Sequence, residues 1–303
     1  MIEGFAQARI DCGEVTLSVH RAGAGAPLIL LHGFPQTHRA WARVAPVFAS
    51  HFDTIVPDLR GYGASDAPPD DPGHTVYSKR TMARDVLGLM AALGLGRAHV
   101  LGHDRGARVA YRLALDHPDR VDRLGIIEVL PTADYWRRFD AGLGMAIWHW
   151  TFLAQPAPLP ERMIGADPGF FAETMLHRWS LPDAPESLPE ESLAHYRAQM
   201  ADPVRVAAMC ADYRAGATTD RQHDEADRAA GRRIAAPLHF LHAEGGFPAR
   251  TGIASTAWQD WAERVTVSSC RAGHFVMEEN PQAVLAAFLP HFGPHHGTAP
   301  QKP

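Results

Sequence analysis

Lysine is almost missing from this chain of 303 residues: Lys79 and Lys302 are the only two, and arginine supplies nearly all the positive charge. The net charge of -5 gives no reason to expect nucleic acid or an anionic membrane as a partner. The three cysteines lie far apart and have no zinc-like spacing. We therefore expect neither a disulfide framework nor a metal site.

Long apolar runs and a targeting segment are missing as well. No apolar stretch approaches membrane-spanning length, and the first residues, Met-Ile-Glu-Gly-Phe, lack the basic and apolar regions of a signal peptide. The hydrophobic content of 46% is nevertheless ample for a sizeable core. We expect a soluble globular protein with a cytoplasmic location.

The most informative stretch is Leu-Gly-His-Asp-Arg-Gly at residues 101–106. It follows an apolar run typical of a buried parallel strand and precedes a helical pattern at residues 107–114. A strand, a Gly-x-nucleophile-x-Gly turn and a helix form the nucleophile elbow of the α/β-hydrolase fold. The residue at the tip is Asp104, a carboxylate that is ionised at neutral pH and can attack a saturated carbon bearing a leaving group. The elbow therefore indicates dehalogenation or epoxide opening through an enzyme ester.

The rest of the pattern predicts an α/β fold with a mostly parallel central sheet, flanking helices and an inserted helical cap. A starting hairpin is predicted at 6–10 and 15–20, buried strands at 27–31, 54–56, 98–101, 124–128, 238–242 and 265–268, and helices at 81–93 and 281–288. Prolines interrupt short helical stretches from 131 to 229, which we interpret as the cap. The core domain is predicted to span 1–130 and 230–293, and residues 294–303 a mobile tail.

Further candidate catalytic groups follow in the chain order of an α/β hydrolase. His274, in the loop after the last strand, is the candidate base that activates water against the ester. The backbone N–H groups of Phe34 and Arg105 would form an oxyanion hole. Two acids could orient His274, namely Glu128 after the strand that follows the elbow and Glu244 after a later strand. The residues alone leave that choice open.

Two arginines stand one helical turn apart beside the elbow. Arg105 and Arg108 share a helix face next to Asp104, and the helix N-terminus adds its own positive end. Two guanidinium groups in this place would hold an anionic substrate, most simply a carboxylate gripped bidentately.

At this point the sequence resembles a known family, the fluoroacetate dehalogenases of the α/β-hydrolase superfamily, from about residue 28 to 290. The matching segments are residues 32–37, 58–63, 103–108 and 149–156. The first two are shared widely in the superfamily. The elbow with both arginines, joined to His149-Trp150, is much more specific.

The resemblance implies roles for particular residues. Asp104 would be the nucleophile and His274 the base, while Arg105 and Arg108 would grip the substrate carboxylate. The residues that would donate hydrogen bonds to the leaving fluoride are His149, Trp150 and Tyr213. The resemblance also selects Glu128 as the acid, although the family usually has Asp there. It implies a homodimer and no metal or organic cofactor.

We therefore expect a haloacetate dehalogenase that hydrolyses small 2-haloacids, such as fluoroacetate to glycolate and fluoride, with water as the second reactant. An epoxide hydrolase, with Tyr196 and Tyr213 protonating the opening oxygen, is the alternative; a neutral epoxide would give the two arginines nothing to bind. A non-catalytic hydrolase-fold binding protein is disfavoured because candidates for nucleophile, base and acid are all present.

Overall fold

The computed structural model describes residues 1–293, so the predicted tail at 294–303 lies outside the described residues. An eight-stranded sheet forms its centre, in the order β1-β2-β4-β3-β5-β6-β7-β8. The strands are β1 Ala6–Asp11, β2 Thr16–Ala22, β3 Pro27–Leu31, β4 Asp53–Pro57, β5 Ala98–His103, β6 Val121–Ile127, β7 Leu238–Ala243 and β8 Val265–Cys270. β1 and β2 form the predicted antiparallel hairpin, and β3 to β8 run parallel.

Fourteen α-helices accompany the sheet within residues 1–293. They are α1 Ala45–Ala49, α2 Lys79–Ala92, α3 Asp104–Asp116, α4 Thr132–Arg137, α5 Ala141–Ala146, α6 Trp148–Leu153, α7 Leu159–Ala166, α8 Pro168–Trp179, α9 Glu190–Met200, α10 Pro203–Ala217, α11 Thr219–Ala229, α12 Phe247–Arg250, α13 Val276–Glu279 and α14 Pro281–Phe292. The predicted α/β fold class is confirmed, and each strand expected from the sequence is present.

The continuous apolar run of β3 is explained by burial on both faces of the sheet. Leu28 and Leu30 belong to one buried cluster, whereas Ile29 and Leu31 belong to another. The first cluster includes side chains of α1 and α14, and the second includes side chains of α2 and α3. Each fully buried aliphatic side chain contributes roughly 1.5–3 kcal/mol, so both helix layers stabilise the sheet that carries the elbow.

The stretch interpreted as a cap is helical in the structure. Helices α4 to α11 follow one another between β6 and β7. The division into a core domain and a cap domain stays a prediction. Buried ion pairs nevertheless hold two of these helices next to the elbow.

Buried ion pairs join the helices between β6 and β7 to the helices beside the elbow. Lys79 and Arg105 both pair with Asp212 of α10, and Arg112 of α3 pairs with Asp224 of α11. Buried charges are tolerated only when they are paired and hydrogen-bonded. These contacts therefore fix α10 and α11 against α2 and α3.

Within residues 1–293, none of the helices is both long enough and apolar enough to cross a membrane.

Candidate active site

The predicted elbow is present, and its geometry is strained. Asp104 follows β5 directly and begins α3, and its backbone φ of 45° lies in the left-handed region. Such a conformation costs a non-glycine residue on the order of 1–3 kcal/mol and is characteristic of functional sites. The glycine at 102 is required by close approach, because a Cβ there would lie 2.5 Å from the Cα of Ala107. The tight turn thus presents the Asp104 side chain at the end of the parallel strands.

The loop after β3 reaches the Asp104 carboxylate. The N–H of Phe34 donates to Oδ2 of Asp104 at 3.1 Å. A Cβ at Gly33 would lie 2.6 Å from the Cβ of Asp104, so only glycine allows this approach. The N–H of Arg105 lies in the first turn of α3, where a helix has no internal acceptor. Both predicted oxyanion donors are therefore close to the nucleophile.

His274 faces the nucleophile. Its Nε2 lies 4.0 Å from Oδ2 of Asp104, and the imidazole is buried. Burial, opposed by the charge of Asp104 and aided by the charge of Arg108, lowers the pKa of His274 to about 4. At neutral pH the imidazole is uncharged, which is the form that a general base needs.

Asp104 keeps a charge despite its burial. It is 7% exposed, and burial by itself would raise its pKa. The positive charge that His274 carries at the acid pH where Asp104 titrates, together with the charges of Arg105 and Arg108, more than offsets that effect, and the pKa of Asp104 lies below its ordinary value. The nucleophile is ionised at neutral pH.

Glu128 lies near His274 but makes no hydrogen bond with it. Its Oε2 accepts from the N–H of Ala243 at 2.7 Å, whereas its Oε1 has no partner. Nδ1 of His274, the atom that the predicted acid should bind, also has no partner. Glu128 is buried and lines the same cavity as Asp104 and His274, whereas Glu244 is exposed. Position therefore favours Glu128 over Glu244, and the direct Glu128–His274 contact is not formed.

Burial raises the pKa of Glu128 well above its ordinary range, although the N–H groups of Ala243 and Phe247 partly offset this. Burial thus favours the protonated form of this carboxyl group, and an approaching positive charge would favour the ionised form.

The two predicted carboxylate-binding arginines differ in their partners. Arg105 is committed to Asp212, because its Nε donates to Oδ2 at 3.1 Å and its Nη2 donates to the backbone oxygen at 2.7 Å. Although burial alone would raise it, Arg105 and Lys79 hold the pKa of Asp212 well below its ordinary range. The Arg105 guanidinium therefore already has an ionised carboxylate partner.

Arg108 has no such partner among residues 1–293. Its Nη1 donates to the Leu130 oxygen at 3.2 Å and to Oγ1 of Thr132 at 2.7 Å, and its buried Nε has no hydrogen-bond partner. The guanidinium lies 4.6 Å from the ring centroid of Trp150. Arg108 lines the same cavity as Asp104. This buried cation is available to an anionic ligand.

Of the three predicted halide-binding residues, His149 and Trp150 line the cavity that holds Asp104, whereas Tyr213 lies behind His149 and does not line it. The His149 ring lies 6.5 Å from the Phe34 ring and 5.6 Å from the Tyr213 ring. Burial lowers the pKa of His149 well below its ordinary value, so its ring is neutral and one nitrogen carries a proton. Trp150 lines the cavity, and the Tyr213 ring lies 4.3 Å from the Arg105 guanidinium.

Tyr196, the second tyrosine of the epoxide-opening alternative, is engaged elsewhere. Its hydroxyl donates to Oε1 of Glu278 at 3.0 Å, and the ring is fully buried. It does not line the cavity that holds Asp104. Tyr196 and Tyr213 therefore do not form the pair that the alternative requires.

The cavity at the nucleophile is small, with a volume of about 10 Å³. Several of its lining residues are absent from the sequence-based prediction: Val129, Tyr135, Ile147 and Phe247. These are apolar or aromatic positions with no chemical signature in the sequence. The sequence-based prediction also missed Lys79 and Asp212. Because the chain has only two lysines, the presence of Lys79 was a signal that this side chain has a specific partner.

Known proteins are similar to this chain over nearly its whole length. A fluoroacetate dehalogenase from Burkholderia sp. is 41% identical over 95% of this chain and 95% of its own length. A soluble epoxide hydrolase from Corynebacterium sp. strain C12 is 34% identical over 90% of this chain and 92% of its own length. The resemblance inferred from the motifs is thus confirmed.

Solved structures and the family match agree with this result. A protein from Nostoc sp. PCC 7120 superposes with a TM-score of 0.92 at 40% identity, covering 96% of this chain and 99% of that one. The epoxide hydrolase CorEH gives a TM-score of 0.82 at 31% identity, covering 95% and 98%. Residues 26–281 match the family described as alpha/beta hydrolase fold. The chain belongs to the alpha/beta hydrolase family.

Proposed function

We propose that this protein is a haloacetate dehalogenase, which hydrolyses small 2-haloacids such as fluoroacetate to glycolate and halide. The observation that carries the proposal is Arg108: a buried guanidinium in the nucleophile's cavity, with no carboxylate partner among the described residues. A buried charge without a partner is costly, and a site that keeps one is arranged for a ligand of opposite charge.

The charges around the elbow support an acid as the substrate. One buried cluster holds two positive and two negative charges, which balance; they belong to Arg105, Lys79, Asp212 and Asp220. Arg108 is then the cation that faces the Asp104 carboxylate across the cavity. A substrate carboxylate bound to Arg108 would carry its α-carbon towards Asp104, and the guanidinium would offset the repulsion between the two anions.

The first chemical step is displacement at carbon. An Asp104 oxygen attacks the α-carbon, the carbon–halogen bond breaks, and the halide leaves with the bonding electrons. His149, Trp150 and Tyr213 are the proposed donors to that halide. Fluoride is strongly solvated in water, so several N–H and O–H groups must replace its hydration shell.

The second step is hydrolysis of the ester. Neutral His274 takes a proton from water, and the resulting hydroxide adds to the Asp104 carboxyl carbon. The N–H groups of Phe34 and Arg105 stabilise the oxyanion. As the bond to the glycolate oxygen breaks, that oxygen takes the proton back from His274, and Asp104 returns to its carboxylate form by releasing the remaining water proton to solvent. Glu128 is the proposed stabiliser of the imidazolium, since its unpartnered oxygen borders the same cavity.

The small cavity favours the smallest substrates. Its volume of about 10 Å³, enclosed by Ile147, Trp150 and Tyr135, corresponds to roughly one water molecule, so side chains must move to admit a haloacetate and must move further for a longer 2-haloacid. We therefore propose haloacetates rather than longer 2-haloacids as the preferred substrates.

Epoxide hydrolysis is the competing activity, because relatives with that name share the fold and the chain covers most of their length. The position of Tyr196 and the unpaired Arg108 argue against it. The test is a parallel assay of fluoroacetate, by fluoride electrode, and styrene oxide, by diol formation. We expect fluoride release without diol; diol without fluoride would contradict the proposal.

A further inference from the structure

Three backbone N–H groups around the His274 loop converge on one buried carboxylate. Oε2 of Glu279 accepts from Gly273 at 2.8 Å, and Oε1 accepts from Phe275 at 2.9 Å. Oε2 also accepts from Leu181 at 2.8 Å. Glu279 is 1% exposed. Its side chain therefore binds the residues immediately before and after His274.

The same contacts tie the His274 loop to the chain segment after α8. Leu181 follows α8 closely, and the N–H of His274 itself donates to the Trp179 oxygen at 2.7 Å. The Trp179 and His274 rings meet edge to face, with centroids 5.6 Å apart. The backbone of the candidate base is thus held between Glu279 on one side and residues 179–181 on the other.

This backbone attachment matters because the imidazole lacks the usual side-chain support. Nδ1 of His274 has no hydrogen-bond partner, and the nearest candidate acid, Glu128, is bonded to Ala243 instead. A ring that no acid holds keeps its direction only through its backbone and packing. Burial raises the pKa of Glu279, while the three N–H groups oppose that effect and favour its ionised form. Hydrogen bonds from N–H groups to an ionised carboxylate are among the stronger ones in proteins.

We propose that Glu279 is the positioning residue for His274: its carboxylate holds the loop so that Nε2 points at Asp104 during ester hydrolysis. This inference rests on the proposed function, because hydrolysis of an Asp104 ester is the step that it serves. The carbon–halogen cleavage needs no base and should not depend on Glu279.

The test uses Glu279→Gln, which keeps the shape but replaces one acceptor oxygen with an N–H donor. Bromoacetate is the probe, since its weak carbon–bromine bond makes ester formation fast. Rapid quenching and intact-protein mass spectrometry follow the ester through a single turnover. We expect ester formation at the wild-type rate and hydrolysis at least about 10-fold slower, as for a displaced catalytic group.

The neighbouring Glu278→Gln is the matched control. Glu278 is equally buried and lies in the same short helix, but it accepts from Tyr196 and Gln36 rather than from the His274 loop. We expect ester hydrolysis at the wild-type rate in this variant. Hydrolysis at the wild-type rate in Glu279→Gln, or an equal loss in both chemical steps, would overturn the positioning role.

A second measurement does not depend on turnover. Amide hydrogen exchange at Gly273 and Phe275 should become faster in Glu279→Gln and stay unchanged in Glu278→Gln. Unchanged exchange in Glu279→Gln would overturn the inference by itself. If wild type releases no halide, the proposed function fails, and the exchange result still decides whether Glu279 holds this loop.

Discussion

The Oε1 oxygen of Glu128 occupies the space that a Cβ at residue 246 would need, so the buried glutamate is accommodated by Gly246 on the neighbouring loop. The resembled family usually has the shorter Asp at this position. The carboxyl of Glu128 reaches the end of β7, where Ala243 donates to it, and makes no hydrogen bond with Nδ1 of His274.

This fit predicts coupling between the two positions. Gly246→Ala should lower the free energy of unfolding by about 1–3 kcal/mol, because it overpacks a buried site. Glu128→Asp should relieve most of that loss, since it withdraws the oxygen from Gly246. Urea unfolding of both single variants and the double variant measures the coupling. Strictly additive changes would contradict the fit.

Glu128→Gln should slow ester hydrolysis without lowering the stability of the fold. Burial raises the pKa of Glu128, so the folded state binds this proton more tightly than the unfolded state, and the resulting stabilisation is lost as pH rises above the ordinary glutamate pKa. The amide removes that ionisable group. We expect an unchanged or higher melting temperature at pH 8 and slower ester hydrolysis. A lower melting temperature with normal turnover would assign Glu128 to structure alone.

Arg108→Met should remove the recognition of the substrate carboxylate. We expect kcat/KM for chloroacetate to fall by roughly 10²-fold or more, as when a positioning charge is lost, because Arg108 is a buried cation without a carboxylate partner among residues 1–293. The matched substrate is neutral chloroacetamide, whose weaker turnover should change little. Equal losses for the two substrates would indicate a general structural defect and would move the carboxylate site elsewhere.

His20 should make the fold sensitive to acid. It is fully buried, neither ring nitrogen has a partner, and burial, aided by the charge of His38 and opposed by that of Asp58, lowers its pKa to about 4. Between its ordinary pKa and 4 the unfolded state binds a proton that the folded state does not, so stability falls as pH falls. The slope is at most about 1.4 kcal/mol per pH unit.

His20→Phe keeps a ring stacked on His38, whose centroid lies 3.9 Å away, and removes this titration. Unfolding by urea between pH 7 and pH 4 should show a shallower decline in the variant. Parallel pH profiles of wild type and variant would mean that His20 binds its proton equally well in the folded and unfolded states, and would contradict this account.

The fold and the identity of the central groups could be predicted from the sequence because both are local. The run 27–31 is apolar throughout because both faces of β3 are buried, and the elbow needs its two glycines within five residues. The side-chain chemistry and the chain position of Asp104, Arg108 and His274 each fit a single catalytic or binding role. The structure brings these three around one cavity.

The arrangement of the supporting residues could not be predicted, because it depends on contacts between distant parts of the chain. Arg105 meets Asp212 more than a hundred positions away, and no local pattern marks that pair. The direction of the Glu128 side chain depends on the space left by Gly246. The hydrogen bond from the N–H of Leu181 to Glu279 depends on where α8 ends. Such side-chain directions are decided by packing, which sequence periodicity does not record.

The central claim is that Asp104 becomes esterified by a haloacid and that His274 is needed only to release it. The most direct measurement is intact-protein and peptide mass spectrometry of His274→Ala after incubation with fluoroacetate, with Asp104→Asn/His274→Ala as the control. We predict that His274→Ala gains the mass of one carboxymethyl group, located on Asp104, and that the control gains nothing. An unmodified Asp104 in His274→Ala, while wild type releases fluoride, would contradict the account.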